Sequence, residues 1–359
     1  MKYVLNIGFI VLICWLTFRL LFSGQEFSSI LDDLHNADPK WLAAGLLCAF
    51  MFVAGESSII YYMLRVLGQK TKFFRCLKYS FVGFFFSYIT PSASGGQPAQ
   101  MYYMKKDGVK IGFSTLIMLL ITIAYKAVLV ILGLLFLIFN YSFISDHVGK
   151  MWWLPAVGFV LNISFISVLA AVFVKPAWAR KAGIKIVNLL TNIRVINSKK
   201  NQKYIEKVTR VCDTYTIGAE YIKNNLHTVV NVFLITTVQR LSLFAITWIV
   251  YKSYGLSGYG IISVIALQTM IGISVEMLPL PGAAGITEGC FMLMFDRIFG
   301  SELVKPALLL SRGMSFYAVL IVGGIVTLVT HIVMLRRDKK IYAADSTADR
   351  TNGKRKDKK

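Results

Sequence analysis

Charge is scarce in this sequence, and negative charge is scarcer still. Only 16% of the 359 residues are charged, with 18 acidic against 39 basic, while 56% are hydrophobic. That balance excludes a soluble domain of this length. The five cysteines, Cys14, Cys48, Cys76, Cys212 and Cys290, are odd in number and scattered, and no CxxC occurs. A disulfide framework and a cysteine metal site are therefore excluded. The four histidines, His35, His147, His227 and His331, fall at the edges of apolar runs. Ser92 and Ser94 lie beside Gly95, yet the Gly-x-Ser-Gly pattern of an intramembrane serine nucleophile is missing. No catalytic residue, metal or cofactor is expected, and the protein is not read as an enzyme.

What remains is long apolar runs, several exceeding the roughly 18 residues that argue for a spanning helix. Full spans are expected at about 3–22, 41–64, 113–139, 152–174, 227–251 and 306–335. The first is long for a secretory signal and lacks a small-x-small cleavage site, so it reads as a retained helix. The stretches 79–104 and 259–299 are apolar but broken, the first at Pro91-Ser92-Ala93-Ser94-Gly95-Gly96-Gln97-Pro98, the second at Pro279-Leu280-Pro281-Gly282-Ala283-Ala284-Gly285-Ile286-Thr287-Glu288. Irregular backbone at membrane depth survives only where protein or a wet cavity satisfies its amides. A repeated pair of such breaks points to a transporter's binding site.

The formal net charge of +21 would suggest nucleic acid in a soluble chain, but here the basic residues lie in loops and tail beside apolar runs. They read as topology signals and anionic-lipid contacts, and no nucleic-acid partner is expected. Loop 23–40 carries Glu26, Asp32, Asp33 and Asp38 against Lys40, whereas 65–78 carries Arg65, Lys70, Lys72, Arg75 and Lys78 with no acid. The positive-inside rule places 65–78, the basic linker 175–226 and both termini in the cytoplasm. The unit span, broken hairpin, span (about 41–139) then recurs at about 227–335 with opposite orientation, an inverted repeat. The fold class is thus an all-α integral membrane protein, with about six full transmembrane helices and two broken or re-entrant hairpins. Residues 1–337 form the membrane domain. The linker has apolar positions at Ile184, Val187, Leu190, Ile193 and Ile196, the spacing of an amphipathic helix on the inner leaflet, and 338–359 reads as a disordered basic tail.

Six ionisable groups lie inside apolar stretches: Glu56, Lys126, Arg240, Glu276, Glu288 and Arg312. Facing lipid would cost each a few kcal/mol or more, so each should face the interior or a wet cavity. By position in the repeat, Glu56 corresponds to Arg240, Gln97 to Glu288 and Lys126 to Arg312. Pro98 suits the first turn of a half-helix whose amino end lies near Gly95, Gly96 and Gln97. Gly282, Gly285 and Thr287, the last as a cap, should do the same before 288–299. Helix amino ends bind phosphate. With Lys126, Arg240 and Arg312 they would suit an anionic headgroup, while Glu288 and Glu56 could contact a cationic or hydroxylated portion or neutralise the cations.

The two hinge signatures, Thr90-Pro91-Ser92-Ala93-Ser94-Gly95-Gly96-Gln97-Pro98 and Pro279 to Gly289 with the later Arg312, carry a resemblance. Over roughly residues 3–337 the chain resembles the membrane region of lysylphosphatidylglycerol synthases and the stand-alone flippase-like proteins related to it. The resemblance implies a lipid flippase fold with paired re-entrant elements, in a bacterial cytoplasmic membrane. The short stretch after Arg337 leaves no room for the soluble aminoacyl-transferase domain, so lysyl-lipid synthesis is not expected. The expected partner is an anionic membrane phospholipid, with a homo-oligomer left open, and the alternative function is an ion-coupled carrier of a small anionic solute.

Overall fold

The computed structural model describes residues 37–90, 93–192, 201–278, 283 and 285–356, with side chains described as far as residue 337. The expected first span, the stretch 193–200 and Gly282 lie outside these residues. Among the described residues every regular element is helical: α1 (Pro39–Val66), α2 (Phe73–Ile89), α3 (Gly96–Lys106), α4 (Ile111–Phe139), α5 (Tyr141–Val148), α6 (Trp153–Val174), α7 (Pro176–Asn192), α8 (Asn201–Lys223), α9 (Leu226–Ser253), α10 (Ile261–Val275), α11 (Ile286–Arg312) and α12 (Ala318–Lys356). A one-turn 3-10 segment precedes α6, and a π segment, Gly313–Tyr317, joins α11 to α12. Among the described residues five stretches are long and apolar enough to cross a membrane: α1, α4, α6, α9 and the run Ile286–Arg337.

Local chemistry sets the boundaries. Asp38 accepts from the Lys40 amide at 2.9 Å, with Pro39 in the first helical position of α1, a side-chain cap followed by a residue whose missing N–H costs nothing there. The helix stops at Gly68, whose φ of 70° favours a residue without Cβ. The expected end of the second broken stretch at 299 is equally physical. Gly300, at φ 78° and ψ 159°, interrupts α11 and separates a short helix from the final span. The last helix then runs on to Lys356, across the stretch whose composition predicts no structure. Extending a helix that is already formed needs no new nucleus.

The packing of the second set of elements repeats that of the first. The leading spans α1 and α9 lie against each other, each leading span packs on the hairpin that follows it, and each hairpin's first helix packs on the closing span of the other set: α2 on α12, and α10 on α4. Glycine makes both of these last crossings close. A Cβ on Gly323 would meet the Phe81 carbonyl at 2.9 Å, and one on Gly133 would run into the Ile273 side chain. The two hairpins and two closing spans thereby surround a common interior. The linker helices α7 and α8 pack on each other, α8 also on α4, and Val187 and Tyr215 are buried among them.

One tie sits at the α3–α4 turn. Asp107 accepts from Lys78 at 2.5 Å and from the Tyr79 hydroxyl at 2.8 Å, and Arg337 at the end of the membrane run donates to it at 3.4 Å. Burial alone would raise the Asp107 carboxyl, but the bonds from Lys78 and Tyr79 hold it below the usual carboxylate range. A lowered value stabilises the fold above the carboxyl's unfolded range, and that stability is lost as pH falls through the lowered value.

Candidate functional site

A cavity of about 640 Å³ lies between the two hairpins, in the size range of small-molecule sites. Its walls are largely aromatic and aliphatic, including Phe52, Phe84, Phe244 and Phe291. Its polar groups come from both halves: Glu56 on α1, Tyr88 on α2, Gln97 and Gln100 on α3, Thr122 and Lys126 on α4, Glu276 just after α10, and Arg312 on α11.

Glu276 is the centre of the charge. Its carboxylate accepts two parallel bonds from Arg240, one of them from Nη2 at 3.0 Å, and a third from Lys126 Nζ at 2.9 Å. The Arg240 guanidinium rests on the Tyr125 ring, 3.4 Å from its centroid, and donates to the Tyr125 carbonyl at 3.1 Å. Such a forked pair with a ring beneath it fixes the guanidinium plane. Arg240, expected as a headgroup ligand, is wholly buried and does not line the cavity; its forked pair is with Glu276. Lys126 does reach the cavity. Two cations on one carboxylate leave a surplus of one positive charge.

The second hinge is tied differently. Glu288 accepts from the Gly285 amide at 2.6 Å and from Arg312, through Nε at 2.8 Å and through Nη2. The first residue before α11 is therefore Gly285, at φ 86° and ψ −56°, and Thr287 is not the cap. Its hydroxyl donates back to the Ala283 carbonyl at 2.9 Å, a local bond open to any threonine inside a helix. The Gly285 amide, expected to be free for phosphate, is occupied by Glu288. At the first hinge the Gly95 amide is likewise occupied, by the Thr90 hydroxyl at 2.8 Å. Gly96 opens α3, where a Cβ would meet the Gly83 carbonyl at 2.6 Å as well as the Ser87 hydroxyl. The missing Cβ lets the two helices of the hairpin pack closely.

The positional match of Gln97 with Glu288 holds in the contacts. Gln97 Nε2 donates to Thr122 Oγ1 on α4, as Glu288 binds Arg312, so each hinge is fastened to the closing span of its own set. The match of Lys126 with Arg312 does not extend to their partners, since Lys126 reaches across to Glu276 and Arg312 stays with Glu288. Glu56 accepts a bond from Gln100 Nε2. Gln100 can get there because Gly83 has no side chain to block it.

The sequence pattern counts Glu276 among the interior ionisable groups but gives it no place in the site, and it passes over Gln100, Thr122, Tyr125 and Tyr88. For Gln100 the available signal is Gly83 on α2, whose missing side chain leaves the space that Gln100 fills. Tyr88 matters because its ring centroid lies 4.4 Å from that of Phe316 in the π segment and its hydroxyl donates to the Ser315 carbonyl at 3.4 Å. It thereby joins the first hairpin to the wound-out turn after Arg312. Such single-turn π segments often mark functional sites.

The two glycines of the second hinge give a paired test. Gly285 has nothing within 4 Å of an added Cβ but holds a backbone that residues with a Cβ avoid, whereas Gly289 lies in regular helix with the same open space. Gly285→Ala should cost about 1–3 kcal/mol in strain. Gly289→Ala should gain up to about 1 kcal/mol from helix propensity, and thermal unfolding of the two variants reads the opposite signs.

Comparison with known proteins follows the same residues. A family model described as "Lysylphosphatidylglycerol synthase TM region" matches residues 3–323. The chain is also similar to a "UPF0104 membrane protein" of Archaeoglobus fulgidus, 24% identical over 268 residues that cover 72% of this chain and 77% of that protein.

Proposed function

Since this chain belongs to the lysylphosphatidylglycerol synthase TM-region family, we propose that its cavity takes the anionic headgroup of a membrane phospholipid and carries it across the bilayer. The observation behind this reading is the surplus positive charge that Lys126, with Arg240 behind the wall, brings to the single carboxylate of Glu276, at a cavity with largely aromatic and aliphatic walls between two broken hairpins. Desolvating a phosphate is costly, and only charge-assisted hydrogen bonds of the kind Lys126 can donate offset it. The Gly95 and Gly285 amides are already bonded, so the side chains rather than those two amides support the reading. The repeated packing of the two sets supports an inverted repeat, which supplies inward- and outward-open states of similar energy about a midplane site.

Mass spectrometry of lipids retained on the purified protein tests this reading. An anionic phospholipid enriched over its membrane abundance is expected, and lost in Lys126→Met. Retention of a small anionic solute in place of lipid would favour the ion-coupled carrier.

The topology that this transport needs is testable alone. In a cysteine-free background, Ile30→Cys should react with an impermeant maleimide from outside, and Lys200→Cys only after permeabilisation. Labelling at position 200 in intact cells would overturn the orientation of both sets.

A further inference from the structure

Of the acids at or beside the cavity, Glu276 on its wall is held by Arg240 and Lys126, and Glu288, on the second hinge behind Arg312, by Arg312. Glu56 has no such partner. It is 8% exposed, and among the described residues its bond is from the neutral amide of Gln100. Among the described residues no cation lies within ion-pair distance of it. The titratable and charged groups that share the cavity with it are Tyr88 of α2, Tyr125 and Lys126 of α4, Glu276 beside α10 and Arg312 of α11, while the Arg240 of α9 sits behind the wall on Glu276. The π segment contributes only Ser315 and Phe316.

We propose that Glu56 takes up one proton when an anionic headgroup enters the cavity, so that anion and proton occupy the protein together. The inference rests on reading the cavity as an anion site. The charge count carries it. Lys126, Arg240 and Glu276 sum to one positive charge, and Arg312 with Glu288 to none. With Glu56 ionised the site is neutral, and a headgroup phosphate would share an enclosed, poorly screened space with an unpaired carboxylate. With a solvent proton on Glu56 Oε2 the site is singly positive and matches a monoanion. Gln100 accommodates both forms, since its amide nitrogen donates to Oε1 in either. Like charges in a shared low-dielectric site disfavour joint ionisation, and an anion that binds one form binds in linkage with the proton. If the same occupancy holds on both sides of the membrane, each anion that crosses is accompanied by one proton.

The test is titration calorimetry of the purified full-length protein with short-chain phosphatidylglycerol, whose phosphodiester does not titrate between about pH 5.5 and 8.5. Two buffers of different ionisation enthalpy report the protons taken up per lipid bound. The wild-type affinity should fall as pH rises, approaching tenfold per unit, with uptake tending to one proton per lipid. Glu56→Gln, which mimics the protonated acid, should bind at the low-pH affinity across the range. Zero proton uptake at every pH, or an unchanged pH slope in folded Glu56→Gln, overturns the proposal. If Glu56→Gln does not fold, the wild-type proton count decides alone. Failure of phosphatidylglycerol to bind at any pH overturns the anion-site reading itself. Glycerophosphoglycerol, the deacylated phosphodiester, binding with the same proton uptake would uphold the linkage and assign the site to a soluble solute.

Discussion

Glu276→Gln is expected to destabilise the protein more than any other change at the cavity, by about 3–5 kcal/mol, because it strands two cations at once. Arg240 is wholly buried and gives both of its terminal nitrogens to this carboxylate, and Lys126 has its own bond to it. Neither cation has another acid within ion-pair distance among the described residues. The cost is chiefly that of uncompensated buried charge, so removing the charges together should recover most of it: Lys126→Met and Arg240→Met added to Glu276→Gln should melt near the wild type. Thermal unfolding in detergent measures both. A Glu276→Gln protein that melts with the wild type would show that the cations find other partners and that this cluster does not hold the hairpin to α4.

Lys126→Met should do the opposite, leaving the fold nearly intact and removing the function. Glu276 keeps its forked pair with Arg240 when Lys126 is lost, so no acid is stranded. What disappears is the one cation of the cluster that lines the cavity. Bonds to charged groups contribute about 1.5–3 kcal/mol, so anionic-lipid binding should weaken by roughly ten- to a hundredfold. Arg312→Met is a milder mixture of the two effects. It frees Glu288 from its cation but leaves that carboxylate bonded to the Gly285 amide, and both stability and binding should fall in part.

These contrasts also mark what is legible in the chain. Span positions and hairpin breaks can be read, because apolar runs, proline and glycine act locally: the final span is separated at Gly300, and α2 and α3 flank the first hinge as expected. The pairing of charges cannot. Symmetry in sequence leads to Glu288 or Glu56 as the acids facing Lys126, whereas the bond goes to Glu276, 150 positions away. The reason is that each hairpin packs on the closing span of the other set, so Lys126 on α4 meets the end of α10 rather than its own hinge. Arg240 has the look of a ligand because a cation in an apolar run implies an interior partner. That the partners are a carboxylate and an aromatic ring behind the cavity wall depends on the α9–α4 crossing. The hinge amides mislead for a local reason: Thr90 and Glu288 are close enough in sequence to occupy them, and short polar side chains compete for such donors.

The most direct measurement of the central claim is movement of a fluorescent phosphatidylglycerol between leaflets of vesicles holding the purified protein, read by bleaching of the exposed leaflet. Wild-type protein should move the lipid faster than empty vesicles do, and well-folded Lys126→Met protein should fall to the level of empty vesicles. Equal movement by wild type and Lys126→Met would contradict the account.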